Sequence, residues 1–178
     1  MTRRLMTLVA ALVMGGSALV VGPAGPAAAE SGDLTFERGD APAAIDIVGL
    51  HVTSGAKRFT MQATVVHLKE KGTFHFHYWR GRHQSRPPQS LILLVRRVDE
   101  RTKARFLECG REDCVPTPCK GLRAEWDPAT DVVEASAPHA CYPRRAGTAP
   151  PREGRFSVWS STPRNADEAR GHLLLRRG

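Results

Sequence analysis

The stretch Thr73-Phe-His-Phe-His-Tyr-Trp79 holds the clearest structural signal in this chain, because two kinds of residue alternate along it. Successive side chains of a β-strand point to opposite faces, so a period of two predicts a strand. The residues on one face are large and aromatic: Phe74, Phe76 and Tyr78. They bury the larger apolar area if they face inward, and we therefore expect them in a core. The outward residues are then His75, His77 and Trp79.

Segments on both sides of this stretch also have strand patterns. Phe59–Val65 alternates apolar and polar residues, and Ile45–Val52 is rich in β-branched residues. Leu91–Val95 is continuously apolar, which is typical of a central strand covered on both faces. Further short strands are expected at 104–108, 121–126, 132–135, 156–160 and 173–175.

Glycine, proline and aspartate separate these short segments, and none of them has the longer period of an amphipathic helix. The polar stretch Ser31–Ala44 is expected to lead into the first strand. Many short strands with turn residues between them predict an all-β fold. We expect an antiparallel β-sandwich, either jelly-roll or immunoglobulin-like, and no helical domain.

The N-terminus has the three parts of a secretory signal peptide. Arg3 and Arg4 precede the nearly unbroken apolar run Leu5–Val21, and Ala27-Ala28-Ala29 supplies the small residues that a signal peptidase requires. We therefore expect a signal peptide at 1–29 and a single domain at 30–178. The mature protein is expected to be extracellular, with no membrane attachment after cleavage.

Four cysteines lie close together in the second half of the chain, and three pairings are possible. Cys109-Gly-Arg-Glu-Asp-Cys114 is a short polar loop, so a bridge there would close a tight turn. Cys119 and Cys141 then remain as the second pair. An exported domain favours such disulfides over a zinc site of four thiolates, because the exterior is oxidising.

Two blocks of the sequence resemble uncharacterised small secreted proteins of high-GC Gram-positive bacteria. The first is Gly39-Asp40 followed by Ile45-Asp46-Ile47 and the alternating strand from Phe59. The second is Cys119–Trp126 followed by Ala137–Cys141. The opening is also loosely similar to jelly-roll carbohydrate-binding and DOMON-like modules. The resemblance implies a bacterial β-sandwich that uses a sheet face or a rim loop for binding, and it implies no catalytic residues.

Trp79 is the best candidate for ligand binding, together with His75 and His77 on the same face. An indole beside hydrogen-bonding groups can stack on the apolar face of a sugar ring. Arg80 and Arg82 open a basic loop just after the strand, and their guanidinium groups could contact an anionic glycan. The alternative is a solvated loop in an arginine-rich protein of net charge +8, and we expect no nucleic-acid partner.

The sequence offers two candidate metal sites, and the simplest expectation is a protein without a cofactor. His75 and His77 lie two apart on one strand, so both imidazoles could reach one Zn²⁺ or Cu²⁺. Asp40 and Asp46 could ligate a structural Ca²⁺ near the first strand, as jelly-roll modules often do. The alternative for the histidines is simple exposure to solvent.

The sequence lacks the motifs of common enzymes, including G-x-S-x-G, H-E-x-x-H, the P-loop and the dinucleotide fingerprint. We therefore expect a secreted, non-catalytic protein that binds an extracellular glycan, the cell wall or another protein. One alternative is a secreted metal-dependent hydrolase or metal-binding protein that uses His75 and His77. A second is a protease inhibitor that presents the stiff loop Val115-Pro-Thr-Pro118 to an enzyme.

Overall fold

The computed structural model describes residues 29–80, 90–110, 113–142, 153–169 and 171–178. Within these ranges the chain forms strands and one turn of 3-10 helix at His139–Cys141. The strands are β1 (Glu30–Thr35), β2 (Ile47–Ser54), β3 (Arg58–Val65), β4 (Gly72–Arg80), β5 (Ser90–Val98), β6 (Arg101–Cys109), β7 (Cys114–Pro116), β8 (Arg123–Asp127), β9 (Val132–Pro138), β10 (Glu153–Ser161), β11 (Ala166–Glu168) and β12 (Leu173–Arg176).

The strands form two antiparallel sheets that pack on one another, which confirms the predicted β-sandwich. Sheet A has the order β1-β2-β3-β9-β8, and sheet B has the order β11-β10-β4-β5-β6-β7. Strand β12 also belongs to sheet B, where it pairs with the first half of β10 while β11 pairs with the second half. Among the described residues, no helix is long and apolar enough to cross a membrane.

Strands β4 and β5 lie at the centre of sheet B and follow the predicted alternation. The inward rings of β4 are fully or almost fully buried, with Phe74 and Phe76 at 0% exposure and Tyr78 at 2%. Strand β5 lies between β4 and β6, and most of its apolar residues are buried. The continuous apolar run at Leu91–Val95 therefore does mark a central strand, as expected.

A glycine of β10 makes room for the Tyr78 ring of β4. A Cβ atom added to Gly154 would lie 2.1 Å from the Tyr78 ring, far inside van der Waals contact. With that space open, the Tyr78 ring packs against Phe156 at a centroid distance of 4.9 Å and against Phe59 of sheet A at 4.8 Å. This contact between rings of both sheets places the aromatic centre of the core beside Gly154.

Both predicted disulfides are present. Cys109 pairs with Cys114 across the turn between β6 and β7, and Cys119 pairs with Cys141. The second bridge joins the segment before β8 to the 3-10 turn after β9, so it closes a loop around that hairpin. Cross-linking a loop of roughly this length stabilises a domain by about 3 kcal/mol in the chain-entropy model.

The structure corrects three expectations about the chain path. The predicted polar lead-in contains β1, whose residues alternate between half-buried and exposed as they pair with β2. Val115 and Pro116 lie in β7 and pair with β6, although they were expected in a loop. The short strand β11 at the edge of sheet B was not expected at all. The predicted signal peptide, except for Ala29, lies outside the described residues.

Candidate functional site

The outward side chains of β4 meet a second tryptophan from β10. In the antiparallel register, Trp159 lies opposite His75, and Ser157 lies opposite His77. The two tryptophans and two histidines of this face are all half-buried, so part of each ring remains open to solvent. We call the following residues the aromatic platform: His75, His77, Trp79, Trp159 and His172.

The rings of the aromatic platform pack against one another in a continuous series. His75 stacks on Trp159 with centroids 3.9 Å apart and planes 24° apart. His77 stacks on Trp79 at 5.1 Å with the same interplanar angle. His172, which precedes β12, meets Trp79 edge-on at 5.4 Å. Each ring therefore restricts the orientation of its neighbour, which preorganises the surface that they form together.

A hydrogen bond joins the two halves of the platform. The indole N–H of Trp159 donates to Nε2 of His77. A neutral imidazole that accepts at Nε2 carries its own proton on Nδ1, so this bond fixes the tautomer of His77. The Nδ1–H group remains as a donor on that ring, while Nε2 is engaged by Trp159.

The histidines of the platform are neutral at pH 7. Burial lowers the pKa of His75 from its ordinary 6.5 to about 4. The pKa of His77 is also lowered to about 4, chiefly by burial and in addition by the charges of protonated His75 and His172. The pKa of His172 is lowered by burial and by the nearby Arg155, against an opposing effect of Glu168. Three uncharged imidazoles make this surface polar without making it cationic.

A groove of about 630 Å³ runs along the platform between β4, β10 and the segment around β11. Trp79, Trp159 and His77 line it on the sheet side. Its other lining residues include the polar side chains of Ser157, Glu168 and His172, and the small residues Ala166, Ala169 and Gly171. Flat indole surfaces with hydrogen-bonding groups at their margins can hold a ring-shaped polar ligand such as a sugar.

The structure brings some of the predicted site residues together and leaves others apart. His75, His77 and Trp79 lie on one face as expected. Arg82 and the side chain of Arg80 lie outside the part of the chain that the structure describes. Their predicted role as glycan contacts therefore stays a prediction.

Sequence reasoning missed Trp159 and His172. A signal for Trp159 was available, because Phe156 and Val158 alternate with Ser157 and Trp159 in β10. Successive side chains of a strand point to opposite faces, so if Phe156 is placed in the core, Trp159 lies on the outer face of the sheet. Nothing in the local sequence places His172 beside Trp79.

The described residues offer no third ligand beside the predicted metal pair His75 and His77. Across those ranges, the one group of three or more potential metal ligands consists of the carboxylates of Asp40, Asp46 and Asp167. In addition, Nε2 of His77 already accepts the Trp159 proton. Metal binding by the two histidines stays a prediction that this geometry does not favour.

The segment proposed for protease inhibition has a defined place at the edge of sheet B. Val115 and Pro116 pair with Glu108 and Leu107 in β6, and the N–H of Thr117 donates to the Phe106 carbonyl at 2.9 Å. The Val115 side chain is 60% exposed. The first three residues of the segment are thus held by the sheet, whereas the inhibitor hypothesis requires it to project freely.

Comparisons with known proteins return no match for this chain among protein-family models, curated proteins or solved structures. The resemblance to secreted Gram-positive proteins and to jelly-roll modules therefore remains an expectation from the sequence. The fold and the candidate site rest on the structure itself.

Proposed function

We propose that this protein is exported, forms its two disulfides outside the cytoplasm, and binds a glycan of the cell wall or the extracellular space without catalysing a reaction. The observation that carries the proposal is the aromatic platform, in which two tryptophans and two of the three histidines line one groove, and the third, His75, stacks on Trp159. A sugar ring presents C–H groups on its flat faces and hydroxyl groups at its edge. Indole faces can stack on the C–H groups of the sugar. Imidazole, hydroxyl and carboxylate groups can form hydrogen bonds with its hydroxyl groups.

The charge of the groove indicates which glycans fit. The imidazoles are neutral at pH 7, and among the described residues the charged groups that shift the pKa of His172 are Arg155 and Glu168, which have opposite signs. The described lining of the groove therefore carries no excess of positive charge that would favour a polyanion. We therefore propose a neutral or weakly charged polysaccharide, held mainly by stacking on Trp79 and Trp159.

Export is supported by the N-terminal sequence and by the disulfides. Both bridges form between cysteines that lie at turns and segment ends, where they constrain the β6–β7 turn and the β8–β9 hairpin. Such structural disulfides persist mainly in oxidising compartments. Mass spectrometry of the culture supernatant tests export: the expected N-terminus is Glu30, and an intact chain confined to the cell fraction would contradict it.

A co-sedimentation assay tests glycan binding. The mature protein is incubated with insoluble cell-wall preparations, peptidoglycan, cellulose and chitin, and depletion from the supernatant is measured. We expect binding to at least one of them and a loss of at least tenfold in affinity for Trp79→Ala. The matched control is Val115→Ala, which removes the most exposed large apolar side chain among the described residues at the far edge of the same sheet.

The same assay separates the proposed function from its rivals. Retention on cell walls after enzymatic removal of polysaccharide would indicate a protein partner instead of a glycan. Equal binding by the wild type and Trp79→Ala would remove the aromatic platform from the interface. Inhibition of proteases by the wild type but not by Val115→Ala would support the inhibitor hypothesis instead.

A further inference from the structure

A cluster of three carboxylates lies away from the aromatic platform, where the chain enters β2. Asp40 is in the loop before β2, Asp46 directly precedes that strand, and Asp167 is in the middle of β11. Each contributes a carboxylate oxygen to a group in which all the oxygens lie within 4.8 Å of one another. Two oxygens that coordinate the same Ca²⁺ at about 2.4 Å stand at most about 4.8 Å apart. The three oxygens are therefore already close enough to share one such ion.

One member of the cluster is buried and incompletely satisfied. Asp46 is only 1% exposed, and its Oδ2 accepts a hydrogen bond from the Gly39 N–H at 2.8 Å. Its Oδ1 is fully buried and has no hydrogen-bond partner within the described part of the chain. A buried carboxylate oxygen without a partner carries a large desolvation cost, which a bound cation would offset.

The other two carboxylates add negative charge at the same place. Asp167 is 7% exposed, and its Oδ2 accepts a hydrogen bond from the Ile47 N–H at 2.8 Å. Burial raises the pKa of Asp167, and the charges of Asp40 and Asp46 raise it further, against the effect of the Ile47 hydrogen bond. Asp40 is exposed, so the cluster is open to solvent on one side.

We propose that Asp40, Asp46 and Asp167 form a Ca²⁺ site. All three side-chain ligands are carboxylates, whereas Zn²⁺ sites usually include histidine or cysteine. Ca²⁺ accepts a flexible shell of six to eight oxygens, in which water can complete the set on the side of Asp40. Mg²⁺ requires shorter bonds in a stricter octahedral geometry, and it gives up its water reluctantly.

The position of the cluster gives the ion a structural role. Asp46 leads into β2 of sheet A, and Asp167 belongs to β11 of sheet B. The hydrogen bond from Ile47 to Asp167 already joins residues 120 positions apart at this edge. A cation among the three carboxylates would fasten the loop at Asp40 and the edge strand β11 to the start of β2, and so hold the two sheets together there.

Isothermal titration calorimetry and thermal unfolding test the site on the mature protein after removal of metal with EDTA. We expect one Ca²⁺ per chain, with a Kd on the order of 10⁻⁴ to 10⁻³ M as in other extracellular modules. At about one hundred times Kd, Ca²⁺ should raise the Tm by about 5–10 °C. Mg²⁺ at the same concentration should raise it by less than half as much.

Variants assign the binding to these residues. Asp40→Asn changes an exposed side chain and should leave the fold intact, and Asp46→Asn keeps an acceptor for the Gly39 N–H. Each is expected to weaken Ca²⁺ binding at least tenfold, whereas Asp113→Asn, which removes one exposed charge elsewhere, should not change it. Absence of a binding signal at 10 mM Ca²⁺, an equal response to Mg²⁺, or wild-type binding by Asp40→Asn would each overturn the proposal.

Discussion

The two faces of β4 carry aromatic clusters of similar size but different chemistry. On the inner face Phe74, Phe76 and Tyr78 are at most 2% exposed and pack against rings of both sheets. On the outer face the rings are half-buried and hold nitrogen atoms, and Trp159 donates a hydrogen bond to His77. Each face thus takes one role: the inner cluster stabilises the sandwich, and the outer one keeps polar atoms accessible for a ligand.

The comparison predicts the largest loss of stability on the inner face. Phe76→Ala removes a ring of 0% exposure from the centre of sheet B, and large-to-small changes of this kind cost about 3–5 kcal/mol. Chemical denaturation measures the change in the free energy of unfolding. A loss below about 1 kcal/mol would show that the inner rings do not carry the stability of the fold.

A substitution in β10 tests how tightly the inner cluster is packed. Gly154→Ala places a methyl group against the Tyr78 ring, which must move away from Phe156 and Phe59. We expect a loss of about 1–3 kcal/mol, the range for overpacking a well-filled core. If Tyr78→Leu restores stability in the Gly154→Ala background, the clash with the ring is the cause. Additive losses would contradict it.

Acid should lower the free energy of unfolding through the histidines of the outer face, and not through the rings of the inner face. The pKa values of His75 and His77 are about 4 in the folded protein and about 6.5 in the unfolded chain, so the unfolded chain binds more protons between these values. Their contribution to stability is therefore complete above about pH 6.5 and is lost as the pH falls toward 4.

Denaturation of the wild type and of the double variant His75→Gln/His77→Gln at several pH values checks this prediction. The wild type should lose more stability than the variant between pH 7 and pH 4. The carboxylates common to both proteins cancel in the difference. The same pH dependence in both would show that the imidazoles are not held in their neutral form.

The smallest effect on stability is expected for Trp79→Ala. This residue is half-buried and contacts the imidazoles of His77 and His172 rather than the core. We expect a loss of about 1 kcal/mol in the free energy of unfolding, together with the large loss of glycan binding described above. A destabilisation as large as that of Phe76→Ala would assign Trp79 to the core and remove the distinction between the two faces.

Features with strong local signals could be predicted from the sequence. The alternation in β4 and the apolar run in β5 place large side chains at every core position, so burial follows from pattern alone. The spacing of Cys109 and Cys114 allows a tight turn and leaves Cys119 for Cys141. The short edge strands β1 and β11 lack such a signal, because their small and polar residues form strands only through pairing with a neighbour.

The site residues that were missed depend on contacts between distant parts of the chain. Trp159 reaches His77 across 82 positions, through the register of β10 on β4. Asp167 reaches the start of β2 only because β11 extends sheet B to that edge. Periodicity predicts which face a side chain occupies, but it does not predict which strand lies beside it.

The indole N–H signals in a ¹H–¹⁵N NMR spectrum test the central claim most directly, because the chain has 3 tryptophans. Trp79 and Trp159 belong to the aromatic platform, whereas Trp126 is 5% exposed and donates its N–H to the Lys69 carbonyl. Soluble fragments of the glycan retained in co-sedimentation are titrated into the protein. We expect the Trp79 and Trp159 signals to shift with a common Kd while the Trp126 signal stays in place. Saturating glycan that shifts only Trp126, or none of the three, would contradict the claim that the outer face of β4 is the binding surface.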